Sequence, residues 1–461
     1  MTRLAWTFLR SAGWRRAVLL AGTTALATAL VLVALTMLML PSEPAETLFS
    51  LVAQPGLRYG TAFATVLLVL PLLLMLNQVV RLGTATRERR LAALRLAGGT
   101  PAEVRRIGAV EVGFPVTVGA MSGPLVFALL RELLGGRRLD DPRGGFYLSL
   151  SSPPALIPTS VTPVWWQIAA VVATVAAAGV ATGALASRHL VASPLGVSRR
   201  AQRPAPRPWG LVLIGTGLGA MAVAVSGVFG RGQALVMAGI LLVVLGVVAL
   251  GPWVAFRSGQ RAARRTSDPA TLIAAGHLVS DPRPAGRAAA AVGAIGIVSG
   301  AAAVMEVGVF FYSNSSFIDP FFVTSFALVG GALILVLLVT ASTLAVHAAE
   351  SLVDRRRVLA ALVAAGTPVS VLRDALWREA MLTAMPLSVG GVLVGAVVAG
   401  AVGVASADST GTPMVNLAGL LVVCAQVIVT VGLTRVAIRI AIRAVAPRLV
   451  QATAPANLRT E

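Results

Sequence analysis

Lysine is absent from this chain: all 38 of its basic residues are arginine. A Walker A loop needs a lysine on the β- and γ-phosphates, and Schiff-base chemistry needs one as nucleophile, so neither resides here. Charge of either sign is scarce, at 12% of residues against 57% hydrophobic, and mean hydropathy is +0.85. A soluble body is roughly a quarter charged, because its surface must stay wet. This chain of 461 residues cannot coat itself that way, so most of it belongs in lipid and a soluble enzyme is excluded. The single cysteine, Cys424, lies in an apolar run, which excludes a disulfide framework and a cysteine metal site. Three histidines, His189, His277 and His347, are scattered along the sequence, which argues against a zinc cluster.

What the chain does have is long apolar runs. At about 20 residues per crossing, they predict ten spans, near 17–40, 61–81, 107–130, 166–187, 209–229, 233–256, 289–312, 322–346, 379–403 and 415–437. The first follows Arg15 and Arg16 but is too long for a signal-peptide core and lacks a small-x-small cleavage site, so it reads as an uncleaved anchor. Ten spans put both termini on one side. Only Arg58, Arg131, Arg137, Arg138, Arg143 and Arg231 fall opposite, leaving 32 of the 38 on the terminal side. The positive-inside rule makes that side the cytoplasm. The net charge of +20 is thereby explained as topology, with no nucleic acid required. Outer connections are short; the longest, about 131–165, is rich in Gly, Pro and Ser and reads as a connector, with a small lid as the alternative.

The sequence repeats. RRLAALRLAGGTPAEVRR from Arg89 to Arg106 and RRVLAALVAAGTPVSVLR from Arg356 to Arg373 share nine of 18 positions at an offset of 267. Chance gives roughly two in a composition this biased. The offset lays the second and third spans on the eighth and ninth, so two parallel four-span repeats flank a central hairpin. The predicted organisation is 1–188, 189–288 and 289–461. Each repeat opens on a cationic stretch, Leu4–Arg16 or Leu272–Arg287, read as lying in the inner headgroup layer or as a topogenic charge cluster.

The repeated segment has the grammar of a rigid turn between helices. In the first copy Gly98 and Gly99 stop a charged helix, Thr100 N-caps the next, Pro101 fits its first position, and Glu103 completes a capping box. Arg105 and Arg106 then lead into the third span. The second copy repeats this with Arg356, Arg357, Gly366, Thr367, Pro368 and Arg373, although Ser370 replaces the capping glutamate. Two matched, capped cytoplasmic elbows exceed what topology requires and suit a symmetric cytoplasmic partner.

The pattern resembles the FtsX-like (MacB-type) permeases of ABC transporters, in which a span leaves the membrane as an arginine-rich segment and re-enters through a helix bearing a glutamate. The matching residues are Arg87-Glu88-Arg89-Arg90 through Gly98 with Glu111, and Asp354 through Gly366 with Glu379; at the offset of 267 the glutamates stand one residue out of register. The resemblance implies that Gly98–Arg106 and Ala365–Arg373 contact a cytoplasmic ABC ATPase, in two copies, which would hold the ATP and magnesium. This chain would bind no cofactor and be no enzyme itself. It also implies a multi-pass protein of the bacterial cell membrane, contacting lipid. The large outer domains of many such permeases have no room here, since the relevant connections are only about Pro41–Gly60 and Tyr312–Phe321.

Carboxylates in the spans need separate attention. Glu306 lies deep in the seventh span, where a charge costs about 2.5–3.5 kcal/mol unless paired or hydrated. It is a candidate substrate or gating contact, or a neutral glutamate bonded to a neighbour. Glu111 and Glu379 lie near the inner ends of their spans, within expected reach of Arg106 and Arg378. Glu306 also underlies a reading from another class, a self-contained ion-coupled secondary transporter; a scaffold that moves nothing is a third.

Overall fold

The computed structural model of the protein describes residues 14–42, 48–81, 98, 100–135, 155–191, 205–226, 232–312, 320–406 and 417–458. Among them every regular element is helical, and extended pairing is limited to the isolated bridges Leu48–Ala155 and Gly135–Ile157. Eight helices are long and apolar enough to cross a membrane. Two shorter apolar stretches, Trp165–Ala181 and Trp209–Ala224, stand where the fourth and fifth spans are expected. The protein is therefore an all-α multi-pass membrane protein. It divides into two units, Met1–Arg199 and Arg200–Glu461.

In the first unit α1 (Trp14–Leu38) is followed by a short α2 (Ser50–Ala53), then α3 (Pro55–Leu67) and α4 (Val69–Arg81), which together form the second span. The span breaks at Leu68 because Pro71 supplies no N–H and its ring crowds the carbonyl of residue 67. Then come α5 (Pro101–Leu134) and α6 (Trp165–Val191). α5 packs between α1 and α6. Its Gly119 and Gly123 lie so close to Ala21, Thr24, Ala25 and Thr28 of α1 that any Cβ would collide. Without a hydrophobic effect in lipid, such close backbone packing is what holds helices together. On the arginine-poor side, Phe49, Ala155 and Ile157 are buried where the two connections meet. Arg58, only 5% exposed, donates to the carbonyls of Leu40, Pro41, Val52 and Ala53 at 2.7–3.1 Å. Arg131 similarly reaches the carbonyls of Thr159 and Val161. Both arginines hold loops together on the arginine-poor side.

The second unit contains α7 (Trp209–Val225), α8 (Gln233–Arg265), α9 (Pro269–Ser280), α10 (Pro282–Tyr312), α11 (Pro320–Asp354), α12 (Arg356–Ala364), α13 (Val369–Ser406) and α14 (Leu417–Ala452). A 3-10 turn, Pro455–Leu458, folds back on α12. α10 is central, packed against α8, α11, α13 and α14. Its Gly293 and Gly296 meet Gly391 of α13 backbone to backbone, Gly300 meets the Val392 backbone, and Gly395 of α13 meets that of Ile297. The hairpin α7–α8 belongs to this unit, with Gly251 of α8 packed on Gly286 of α10. α9 buries Ala270, Ala274, Ala275 and Leu278 against α8 and α13, so protein covers the face that the sequence suggested for headgroups. The other such stretch, Leu4–Arg16, lies largely outside the described residues.

Several helices exceed their predicted spans on the arginine-rich side: α5 starts at Pro101, α8 ends at Arg265 and α14 ends at Ala452. Hydropathy marks only the part in lipid, whereas the helix continues as long as its backbone bonds are satisfied.

The two units share one internal register, offset by 268 residues. α5 and α13 begin at Pro101 and Val369. Gly123 meets Ala25 and Thr28, and Gly391 meets Gly293 and Gly296. Leu72, Met75, Leu76 and Gln78 are buried in α4, as are Thr340, Thr343, Leu344 and Val346 in α11.

Candidate functional site: the elbows and their carboxylate anchors

The second elbow is described throughout. α11 ends at Asp354, the backbone breaks at Arg355 (φ −104°, ψ 9°), and α12 carries on for nine residues. The break interrupts the charged helix that sequence suggested would continue from the span. α12 ends in a Schellman motif: the Gly366 N–H donates to Val363 O and the Thr367 N–H to Leu362 O, both at 2.9 Å. This requires the left-handed φ of +92° at Gly366. α13 then starts at Val369, with the Pro368 carbonyl as its first acceptor. Pro368 thus stands one place before the helix, not at its first position as in the predicted design. The exposed tip is apolar, with Val358 and Val369, and is flanked by Arg357 and by Arg373, which is 60% exposed.

In the first elbow, Arg89, Arg90 and Gly99 lie outside the described residues, as do the side chains of Arg105 and Arg106. The rest agrees with the sequence. Thr100 Oγ1 accepts from the Glu103 N–H at 3.3 Å and Glu103 Oε2 from the Thr100 N–H at 2.9 Å, closing the capping box, with Pro101 first in α5. The left-handed residue is Gly98, also at φ +92°. Each left-handed glycine precedes its helix by three residues, Gly98 to Pro101 and Gly366 to Val369. The Thr-Pro pair slides by one place within that link. The sequence match at 267 followed Thr-Pro; the fold follows the glycine at 268.

In that register Glu111 and Glu379 coincide, each ten residues past the start of its helix. Glu379 does not take Arg378, the partner the sequence suggested; the Arg106 side chain, suggested for Glu111, lies outside the described residues. Glu111 pairs with Arg16 of α1, Nη1 to Oε1 at 2.5 Å, both nearly buried. The same guanidinium donates to Val79 O at 3.2 Å and Val80 O at 3.0 Å, in α4. Arg16 therefore joins three spans, serving two carbonyls as well as a carboxylate. Glu379, 6% exposed, is met by Arg355 at 3.3 Å and by His277 Nδ1 of α9 at 3.2 Å. Arg378 turns instead to α9, donating to Thr271 Oγ1 at 2.9 Å and lying 3.6 Å from Asp268. Asp268 caps α9, and the hydroxyl and backbone N–H of Thr271, with Arg378 beside them, hold its carboxyl below the ordinary range. Adjacent residues of α13 thus fasten both ends of α9. These long-range partners are separated by 95 and 102 residues and left no local signal.

His347 of α11 lines the same small cavity as Glu379, so two of the three scattered histidines converge on one carboxylate. No group of three or more metal-ligating side chains occurs among the described residues. Glu306 sits partly buried on α10. Two turns before it on α10, Ser299 bonds Thr430 Oγ1 at 2.7 Å and Gln426 Nε2 at 2.6 Å, a buried polar group that hydropathy reading passed over.

No curated protein and no solved structure matches this chain. Residues 61–195 match the family model described as FtsX-like permease C-terminal. The matched stretch runs from the second span through the first elbow, α5 and α6. With eight helices among the described residues long and apolar enough to cross a membrane, the chain is consistent with an FtsX-like permease, the match being to residues 61–195.

Proposed function

We propose that the protein is the membrane subunit of an ABC-type transporter in the bacterial cell membrane, with both termini cytoplasmic. ATP is hydrolysed on a separate chain, two copies of which dock on the elbows at Gly98–Arg106 and Ala365–Arg373. The observation that carries this reading is the match at 61–195, which includes the first elbow. The second elbow supports it by shape. Its α12 is ended by a complete Schellman motif and exposes Val358, α13 exposes Val369, Arg357 and Arg373 flank them, and Arg355 on Glu379 braces the root. A stiff apolar tip ringed by arginine suits an acidic-rimmed groove on a partner. Closure of an ATPase dimer would then be transmitted through α5 and α13 into export or mechanical work at the membrane.

The test is co-expression with an ABC ATPase encoded beside this gene, followed by purification of the complex. Replacing Val358 and Val369 by Asp should abolish ATPase co-purification while the permease stays folded. Retention of the ATPase with unchanged stimulated hydrolysis would sink the reading. Transport that persists without ATP, and is lost on Glu306→Gln or collapse of the proton gradient, would favour the ion-coupled alternative.

A further inference from the structure

The common register lets one unit be read against the other at the buried glutamates. In the first unit three groups surround the Arg16 guanidinium: Val79 O, Val80 O and the Glu111 carboxylate. Their counterparts 268 residues on are His347, Ala348 and Glu379. The counterpart of Arg16 is Pro284, in the register by which Gly123 meets Ala25 and Thr28 while Gly391 meets Gly293 and Gly296. Proline has no side chain that could reach between α11 and α13. At that place the second unit has a cavity of about 30 Å³, lined by Ala285, His347, Ala348, Ser351, Glu379 and Thr383 among others. All three counterparts of the groups around Arg16 are in its wall.

Two features give this cavity a chemistry. The His347 Nδ1 is fully buried and finds no protein partner among the described residues, although buried polar atoms almost always have one. The Glu379 carboxylate has spare lone pairs, because Arg355 meets it with one nitrogen at 3.3–3.5 Å and His277 at 3.2 Å. A cavity holds a water if it offers at least about 10–15 Å³ and two or more polar partners. Both conditions hold. A further cation is disfavoured, because Arg355 already balances the carboxylate.

We propose that this cavity is an internal hydration site. A water there donates one hydrogen to His347 Nδ1 and the other to Glu379, standing where the first unit has the Arg16 guanidinium. The proton of His347 is then on Nε2, and that of His277 on Nδ1, donated to Glu379. The first unit therefore fills this place with a tethered cation, the second with an exchangeable solvent molecule beside the Arg355–Glu379 pair. If the elbows couple to an ATPase as proposed above, the second elbow has the softer joint; the hydration site itself does not depend on that reading.

The test uses the intact protein in lipid nanodiscs. A density map fine enough to show ordered water should contain a peak within hydrogen-bonding distance of His347 Nδ1 and Glu379. Thermal unfolding supplies an independent arm through His347→Leu, an apolar side chain of similar size. In a hydrated site this removes a partner of the water and lowers the midpoint by about 2 °C or more. In a dry site it relieves an orphaned nitrogen and raises the midpoint. Absence of the peak in the wild-type map, or a raised midpoint for His347→Leu, would overturn the proposal; neither outcome involves ATPase binding.

Discussion

Arg16 and Glu111 are the strongest test of the fold's polar interior. Both side chains are at most 10% exposed and meet at 2.5 Å. Truncating one member of a buried pair leaves the other charge without compensation and destabilises by about 3–5 kcal/mol, whereas replacing both with apolar groups is often near neutral. Arg16→Met and Glu111→Met are each expected in that range, and the double variant close to the less damaging single. The arginine side should be the worse one. Its guanidinium also donates to Val79 O and Val80 O, and each bond lost from a charged donor adds about 1.5–3 kcal/mol. The coupling energy of the cycle should therefore be at least about 2 kcal/mol, well beyond the roughly 0.5 kcal/mol within which independent sites add. The assay is reversible unfolding in mixed micelles, titrated with denaturing detergent and followed by tryptophan fluorescence. Additivity of the two substitutions, or a loss below about 1 kcal/mol for Arg16→Met, would refute the claim that one guanidinium joins α1, α4 and α5.

Gly366→Ala meets no atom within 4 Å, so its cost is purely that of the left-handed backbone, about 1–2 kcal/mol; Gly366→Asn should recover part of it, as measured by the same unfolding titration. Gly395→Ala should destabilise far more than Gly400→Ala, because a Cβ at 395 runs into the Ile297 carbonyl while 400 faces open space. Arg58→Met strips the donor from four carbonyls and should cost at least about 2 kcal/mol; Arg58→Lys restores only part, since an ammonium cannot span them, and limited proteolysis of the outer loops would report the difference. The carboxyl of Asp268 is held below its ordinary pKa, so its stabilising contribution is present above the unfolded value, near 3.9, and fades as pH falls through the folded one. Asp268→Asn should therefore flatten the acid limb of a plot of unfolding midpoint against pH between about 5 and 3; an unchanged limb would show that Asp268 takes no part.

Most of the architecture was legible because lipid makes it so. A span must satisfy its own backbone, so length and hydropathy suffice to place helices. The first elbow was legible for the same local reason: Thr100, Pro101 and Glu103 act within one helical turn. Other features were misread because their determinants are distant. Sequence identity favoured an offset of 267 through Thr-Pro, whereas Gly98 and Gly366, Glu111 and Glu379, and Gly123 and Gly391 agree on 268. The glutamates that stood one residue out of register are equivalent in the fold.

The sequence by itself determined that this protein lives in a membrane, that it is helical and duplicated, and that no lysine chemistry occurs on it. Those properties follow from composition and from contacts within a turn or two. Only the tertiary structure decided which arginine each buried glutamate takes and how His277 and His347 come to share Glu379. It also decided that Pro284 stands where its twin unit has Arg16. An ion pair across 95 residues is chosen by helix packing, because in a low-dielectric interior the nearest correctly aimed donor wins, whatever its distance along the chain.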